Sequence, residues 1–166
     1  MKKAFVFDFD DTLATTECRV IVRSSITGYQ LDRLTPAEFN SYELTKLEYF
    51  DFSEFRSEEF IHNAVPTTLI NLAKEVYDED HSIYVLTARA DNVAEAISDW
   101  LFGFDVRPVH VYGVGSDDKK CDIAAEKKKV LTTLAQAFDL VYFYDDHEEN
   151  CDLAREIGNG IKVYLV

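Results

Sequence analysis

Apolar residues gather in five short runs along the chain, at residues 3–9, 82–87, 106–112, 140–144 and 161–166. Most are continuous rather than alternating, which suits strands buried on both faces of a parallel sheet. Between the runs, apolar positions recur at helical spacing. Residues 65–77 place Leu69, Leu72, Ala73 and Val76 on one face, with Pro66 at a first-turn position. Residues 92–102 do the same with Val93, Ala96, Ile97 and Trp100. Residues 122–138 line up Ile123, Lys127, Val130, Leu131 and Leu134 behind Asp122, a candidate N-cap. Residues 148–157 stop at Gly158, a natural helix end. Alternating strands and helices predict an α/β fold: five parallel strands, helices on both faces and right-handed crossovers.

The stretch from Leu13 to about Asn63 breaks this alternation. Residues 19–22 and 29–34 have strand character and predict a hairpin around residues 24–28. Thr35-Pro36-Ala37-Glu38 has the form of a helix start, with Thr35 as cap and Glu38 three residues on. Residues 49–60 mix aromatics with acids and show no clear period. The aromatics between Tyr42 and Phe60 are expected to pack the insertion rather than stack on a base. The whole reads as a hairpin flap with a small cap, about residues 14–63, inserted over the C-terminal ends of the strands. A chain of 166 residues fits one domain, taken here as 1–166.

Composition narrows the function. At 47% hydrophobic the chain is globular, and no apolar run approaches the ~20 residues of a bilayer span. The basic start Met1-Lys2-Lys3 is followed so soon by Asp8 and Asp10 that no secretory leader is expected. A soluble, cytoplasmic protein without membrane contact is the expectation. The cysteines Cys18, Cys121 and Cys151 are odd in number and show no paired spacing, which argues against disulfides and zinc. A formal charge of −14 argues against long duplex nucleic acid as partner, since the one basic run is Lys127-Lys128-Lys129. A small phosphate ester beside a metal ion stays compatible with it.

The chemistry concentrates at strand ends. Asp8 and Asp10 follow the first strand and, two apart on an extended segment, point the same way. Two carboxylates so close need a proton or a cation between them, and magnesium suits an open, partly hydrated oxygen site. The fourth strand ends in a second acidic pair, Asp145-Asp146, with Asn150 one helical turn on to orient the ligands. Thr87 ends the second strand; its hydroxyl and the following N–H groups suit a phosphate oxygen. Arg89 is a candidate for a bidentate phosphate contact. Lys127 sits on an apolar helical face where a lysine needs an anionic partner, while Lys128 and Lys129 turn away. His62, His81, His110 and His147 lack metal-ligand spacing; His147 merits testing because it follows the acidic pair. Gly113-Val114-Gly115 does not match a known phosphate loop.

In chain order these elements resemble the haloacid dehalogenase superfamily of phosphatases. The first motif is Asp8-Phe9-Asp10-Asp11-Thr12-Leu13, the second Thr87, the third Lys127, and the fourth Asp145-Asp146 with Asn150. Asp11 stands where the family often has Gly. The resemblance implies a Rossmann-like sheet, a flap gating the site, and hydrolysis of phosphomonoesters through an aspartyl-phosphate on Asp8. Asp10 would protonate the leaving group and then activate water. Magnesium would be held by the Asp8 carboxylate, the Asp10 carbonyl and Asp146, with Asp145 in support. Thr87, Ala88 N–H and Lys127 would hold the phosphoryl group, and Thr12, Arg89 and Asn150 also fall on the substrate side. A small phosphorylated metabolite or nucleotide is the expected substrate, with a polynucleotide 3′ end as the alternative. A phospho-acceptor domain is disfavoured, because the third strand ends in Tyr112-Gly113 without an Asp. The other alternative is a silent phosphate- or metal-binding module of the same fold.

Overall fold

Neighbouring side chains of an extended strand point to opposite sides, so a continuously apolar strand needs cover on both faces. In β1 (Lys3–Phe7), Phe5 and Phe7 join one buried cluster while Ala4 and Val6 join another. The computed structural model describes residues 1–116 and 121–166 and puts β1 at the centre of a parallel sheet. The other elements follow in chain order: β2 (Ala14–Thr15), β3 (Val20–Ser24), β4 (Gln30–Leu34), α1 (Pro36–Ser41), β5 (Glu48–Asp51), α2 (Glu58–His62) and β6 (Val65–Pro66). Then come α3 (Leu69–Asp78), β7 (Ser82–Thr87), α4 (Ala94–Phe102), β8 (His110–Gly113), α5 (Ile123–Ala137), β9 (Leu140–Asp145), α6 (Glu148–Arg155) and β10 (Ile161–Leu165).

The main sheet has the order β10-β9-β1-β7-β8, with every pairing parallel. This is the α/β, Rossmann-like sheet that the hydrophobic pattern and the resemblance led us to expect. Helices α3 and α4 cover the Phe5 and Phe7 side through Ile70, Ala73, Val76, Ile97 and Trp100. Helices α5 and α6 cover the other side through Leu131, Leu134 and Ala154. Full burial of one such large apolar side chain contributes about 1.5–3 kcal/mol. The chain builds β7 and β8 outward from β1, then crosses back to lay β9 and β10 on the opposite side. In open sheets of this kind the crevice at the C-terminal strand ends, beside the reversal, is where ligands bind.

The excursion out of the sheet is closed at its base by antiparallel pairing of β2 with β6. The predicted hairpin is present as β3 and β4. A third strand, β5, pairs with β3 on its other edge. It escaped the sequence reading because Glu48, Tyr49, Phe50 and Asp51 are all half-buried and give no period. Val20, Val22 and Leu34 form a small core with Phe39, Tyr42, Leu44, Phe50 and Phe55. Helix α1 carries the expected capping box between Thr35 and Glu38.

Two element boundaries need correcting. Val65 and Pro66 belong to strand β6, not to the first turn of a helix, and α3 begins only at Leu69. Just ahead of it the Thr67 hydroxyl oxygen accepts from Leu69 N at 3.2 Å. The strand expected over residues 106–112 runs only over His110–Gly113. Asp105 adopts φ 61° to turn the chain, the fully buried Val106 plugs the end of α4, and Pro108 has no N–H to donate. The first link to β7 is Val109 N to Ile83 O at 2.7 Å. Among the described residues, no helix is long and apolar enough to cross a membrane.

Candidate active site

The register of the sheet brings the acidic strand ends together. Phe7 pairs with Tyr144 on one side and with Val85 on the other. Asp8, one residue on, donates its N–H to Tyr144 O at 2.9 Å and stands beside Asp145. Helix α5 aims Lys127 at this point, since its Leu131 and Leu134 are buried on the sheet and Lys127 shares their face. Lys127 Nζ donates to Asp8 Oδ1 at 2.8 Å and to Asp145 Oδ2 at 2.7 Å. The Lys127 side chain is 1% exposed, against 33% for Lys128 and 70% for Lys129. Those two pair outward with Glu156 and Glu126, so Lys127 alone of the three faces the nucleophile candidate.

With both carboxylates ionised, two carboxylates and one ammonium leave this buried cluster one negative charge in excess. Burial, reinforced by Asp145 and only partly offset by Lys127, pushes the Asp8 carboxyl from 3.8 to about 8. Burial alone would lower the Lys127 ammonium, but the two carboxylates outweigh it and hold it above its ordinary value. A second cation would remove the excess. Asp8, Asp145 and Asp146 each offer a ligand oxygen, and these atoms lie within 4.8 Å of one another. Asp145 is saturated: it accepts from Lys127, from His147 N at 2.8 Å and from Asn150 Nδ2 at 3.0 and 3.1 Å. Asp146 is exposed, with no side-chain partner among the described residues; burial and then Asp145 push its carboxyl up. Among the described residues the Asp10 carbonyl accepts no backbone hydrogen bond. All-oxygen donors of this kind fit a hard divalent cation such as magnesium.

Thr87 ends β7 on the other side of β1. Its hydroxyl oxygen accepts from Arg89 N at 3.1 Å, which leaves its own hydrogen free to donate. The N–H groups of Phe9, Asp10 and Ala88 have no backbone acceptor among the described residues. Ala88 is exposed at the end of β7. The loop carrying Ala88 is laced to the turn after β8 by Val114 N to Thr87 O and Gly115 N to Arg89 O, each 3.0 Å. A Cβ on Gly115 would stand 2.0 Å from Ala88 O, and one on Gly113 2.6 Å from Ala90 C. The glycine pair noted in the sequence thus braces this loop rather than cradling a phosphate itself.

Three expected substrate contacts are placed differently. Asn150 is buried and spends its amide on Asp145, so it orients a carboxylate. Thr12 is 1% exposed, and its hydroxyl has no hydrogen-bond partner among the described residues. Arg89 is 3% exposed and is not a free fork for phosphate. Its Nε and Nη2 donate to the two carboxylate oxygens of Asp10, both at 2.8 Å, and its Nη1 donates to Phe55 O at 2.8 Å. Asp10 sits 79 residues away in sequence, so no local pattern announced the pair.

The turn after β1 and the insertion line a cavity of about 270 Å³ at Asp10, Asp11, Thr16, Cys18, Arg19 and Phe55. Sequence reasoning did not single out Thr16, Cys18, Arg19 or Phe55. Asp11 adopts φ 55°, the left-handed region that explains why glycine suits this place. Asp tolerates it better than most residues, and its N–H closes the turn onto Ala14 O at 2.7 Å.

No family model matches this sequence, and no curated protein does. Solved structures match it in fold. One chain of a Pnkp1/Rnl/Hen1 complex superposes with a TM-score of 0.62 at 14% identity, over 99% of this chain and 46% of that one. The present chain therefore spans about half the length of that protein. A hydrolase described as HAD-superfamily, subfamily IA, from Geobacter sulfurreducens gives a TM-score of 0.56 at 13% identity, over 98% and 88% of the two chains. A haloacid dehalogenase-like family hydrolase from Streptococcus pneumoniae gives 0.51 at 16% identity, over 96% and 83%. The chain has the haloacid dehalogenase fold.

Proposed function

We propose that this chain is a magnesium-dependent phosphomonoester hydrolase with Asp8 as nucleophile. One observation carries the reading: the buried contact of Lys127 with both Asp8 and Asp145, which, with both carboxylates ionised, leaves a single negative charge within reach of Asp146. Such a cluster suits a divalent cation and a phosphate bound together. When bound at Asp8, Asp146 and the Asp10 carbonyl, magnesium would neutralise charge on the phosphoryl oxygens.

The residues then divide the work. Lys127, the Thr87 hydroxyl and the Ala88 N–H hold the phosphoryl oxygens, where positioning and charge neutralisation supply most of the catalysis. Asp8 attacks phosphorus and becomes an acyl phosphate. Asp10 gives its proton to the leaving oxygen and later takes one from the attacking water. Asp145 and Asn150 keep Lys127 and the strand end in place. Small phosphorylated metabolites or nucleotides are the proposed substrates, with the cavity of about 270 Å³ beside Asp10 as the place for the leaving group. The fold likeness to a chain of an RNA repair complex favours a second reading, an end phosphatase on a polynucleotide. The formal charge of −14 weighs against long strands.

Phosphate release from an aryl phosphate, a nucleotide panel and an oligonucleotide 3′-phosphate decides among these. Release is expected with magnesium and none with excess chelator; release that survives chelation overturns the metal-dependent reading. Metal binding has its own readout. At a hundred times its dissociation constant, magnesium should add about 2.7 kcal/mol, a melting shift of roughly 5–10 °C. Asp146→Ala should remove that shift, as followed by thermal denaturation. A shift unchanged in Asp146→Ala places the ion elsewhere.

A further inference from the structure

A guanidinium buried to 1% exposure is costly unless its donors find acceptors, and Nε, Nη1 and Nη2 of Arg89 each donate to a group of the protein. Nε and Nη2 grip Asp10 Oδ2 and Oδ1, both at 2.8 Å. Nη1 reaches Phe55 O at 2.8 Å, and Nη2 also meets Thr16 Oγ1 at 3.2 Å and Cys18 Sγ at 3.3 Å. The rings of Phe9 and Phe55 flank the group, 5.7 and 5.3 Å from their centroids. Its own backbone is pinned by Thr87 Oγ1 and Gly115 N. Arg89 is thus fixed by the sheet, while Thr16, Cys18 and Phe55 belong to the insertion.

We infer that Arg89 is a positioning residue that sets the Asp10 carboxylate for proton transfer and ties that setting to the seated insertion. The inference rests on the acid–base role proposed for Asp10. A planar fork fixes the plane of a carboxylate, which a single point charge does not. A carboxylate offers about four acceptor positions. Arg89 takes one on each oxygen, and Thr16 Oγ1 takes a second on Oδ1 at 3.1 Å. The open position is on Oδ2, and Asp10 lines the cavity. In the first step an Asp8 oxygen bonds to phosphorus and the ester P–O bond breaks. Its electron pair stays on the leaving oxygen, which takes the proton from Asp10 Oδ2 and departs as the alcohol. The Asp10 carboxylate left behind is stabilised by Arg89. In the second step water bonds to phosphorus and passes its proton to Oδ2, and the acyl P–O bond breaks to free Asp8 and inorganic phosphate.

The test compares two esters on the whole chain with magnesium. The nitrophenolate of para-nitrophenyl phosphate leaves without a proton, whereas the alkoxide of a simple alkyl phosphate needs one. The ratio kcat/KM reports the steps through formation of the acyl phosphate. Arg89→Lys keeps the charge and loses the fork. It is expected to lower kcat/KM on the alkyl ester about 10- to 100-fold while holding that on the aryl ester within about threefold. Aryl kcat and KM should fall together, because water attack slows while the first step does not. Thr16→Val removes one brace and should move the same parameters the same way by less; it carries the test if circular dichroism shows Arg89→Lys unfolded. Equal losses of kcat/KM on both esters in a folded variant overturn the inference, as does an Arg89→Lys enzyme that matches the parent. A parent inactive on both esters removes the Asp8 chemistry itself, and the inference with it.

Discussion

Asp8→Asn is expected to abolish phosphate release, by about 10⁴-fold or more, without destabilising the fold. The amide cannot attack phosphorus, and the neighbouring Asp145 cannot take its place, being saturated by Lys127, His147 and Asn150. The stability half separates loss of chemistry from loss of structure. Asp8 is buried beside a second carboxylate, and its carboxyl is pushed from 3.8 up to about 8. A carboxyl raised in the folded state favours folding most below its unfolded value, and that advantage is lost as pH rises through the folded value. Without metal, the parent should therefore lose stability between about pH 4 and pH 8 relative to Asp8→Asn. Paired thermal melts across that window with chelator present, alongside a phosphate-release assay, measure both halves. A variant that melts well below the parent at pH 8 contradicts the electrostatic account.

Lys127→Met is expected to be the most destabilising single change at the site. It leaves Asp8 and Asp145 buried with no cation between them, and breaking a buried pair by removing one partner costs about 3–5 kcal/mol. For a chain of this size that lowers the melting temperature by roughly 10 °C. Magnesium should recover part of the loss, since it supplies positive charge to the same cluster. Turnover should not recover, because the ammonium also holds the phosphoryl group. Lys128→Ala and Lys129→Ala, whose partners Glu156 and Glu126 lie at the surface, should stay within about 0.5 kcal/mol of the parent. Urea denaturation of the three variants, with and without magnesium, makes the comparison. Equal effects in all three would show that the inward ion pairs contribute nothing.

Much of this was legible in the sequence where one physical requirement dominated. Strands β1, β7 and β9 need cover on both faces, so their runs could hardly be anything else. Lys127 was visible as a charge on an apolar helical face. Legibility failed where one residue satisfied two environments. Pro66 suits a helix start and a short edge strand equally, and the choice came from pairing with Ala14, far back in the chain. Val106 has strand-like character yet serves as a plug after the turn at Asp105. Arg89 advertised a guanidinium but not its partner: in isolation the same group suits a phosphate or a carboxylate, and only folding set Asp10 against it. Asn150 likewise showed its proximity to the acidic pair, and the structure shows which carboxylate it orients.

The central claim, that Asp8 takes the phosphoryl group, is tested most directly by trapping it. The magnesium-loaded protein is mixed with radiolabelled para-nitrophenyl phosphate, quenched in acid within one turnover, digested and mapped. The account predicts label on the peptide carrying Asp8, released by hydroxylamine as an acyl phosphate is, and absent in Asp8→Asn. Steady turnover with no labelled protein, or label on another residue such as His147, would contradict it.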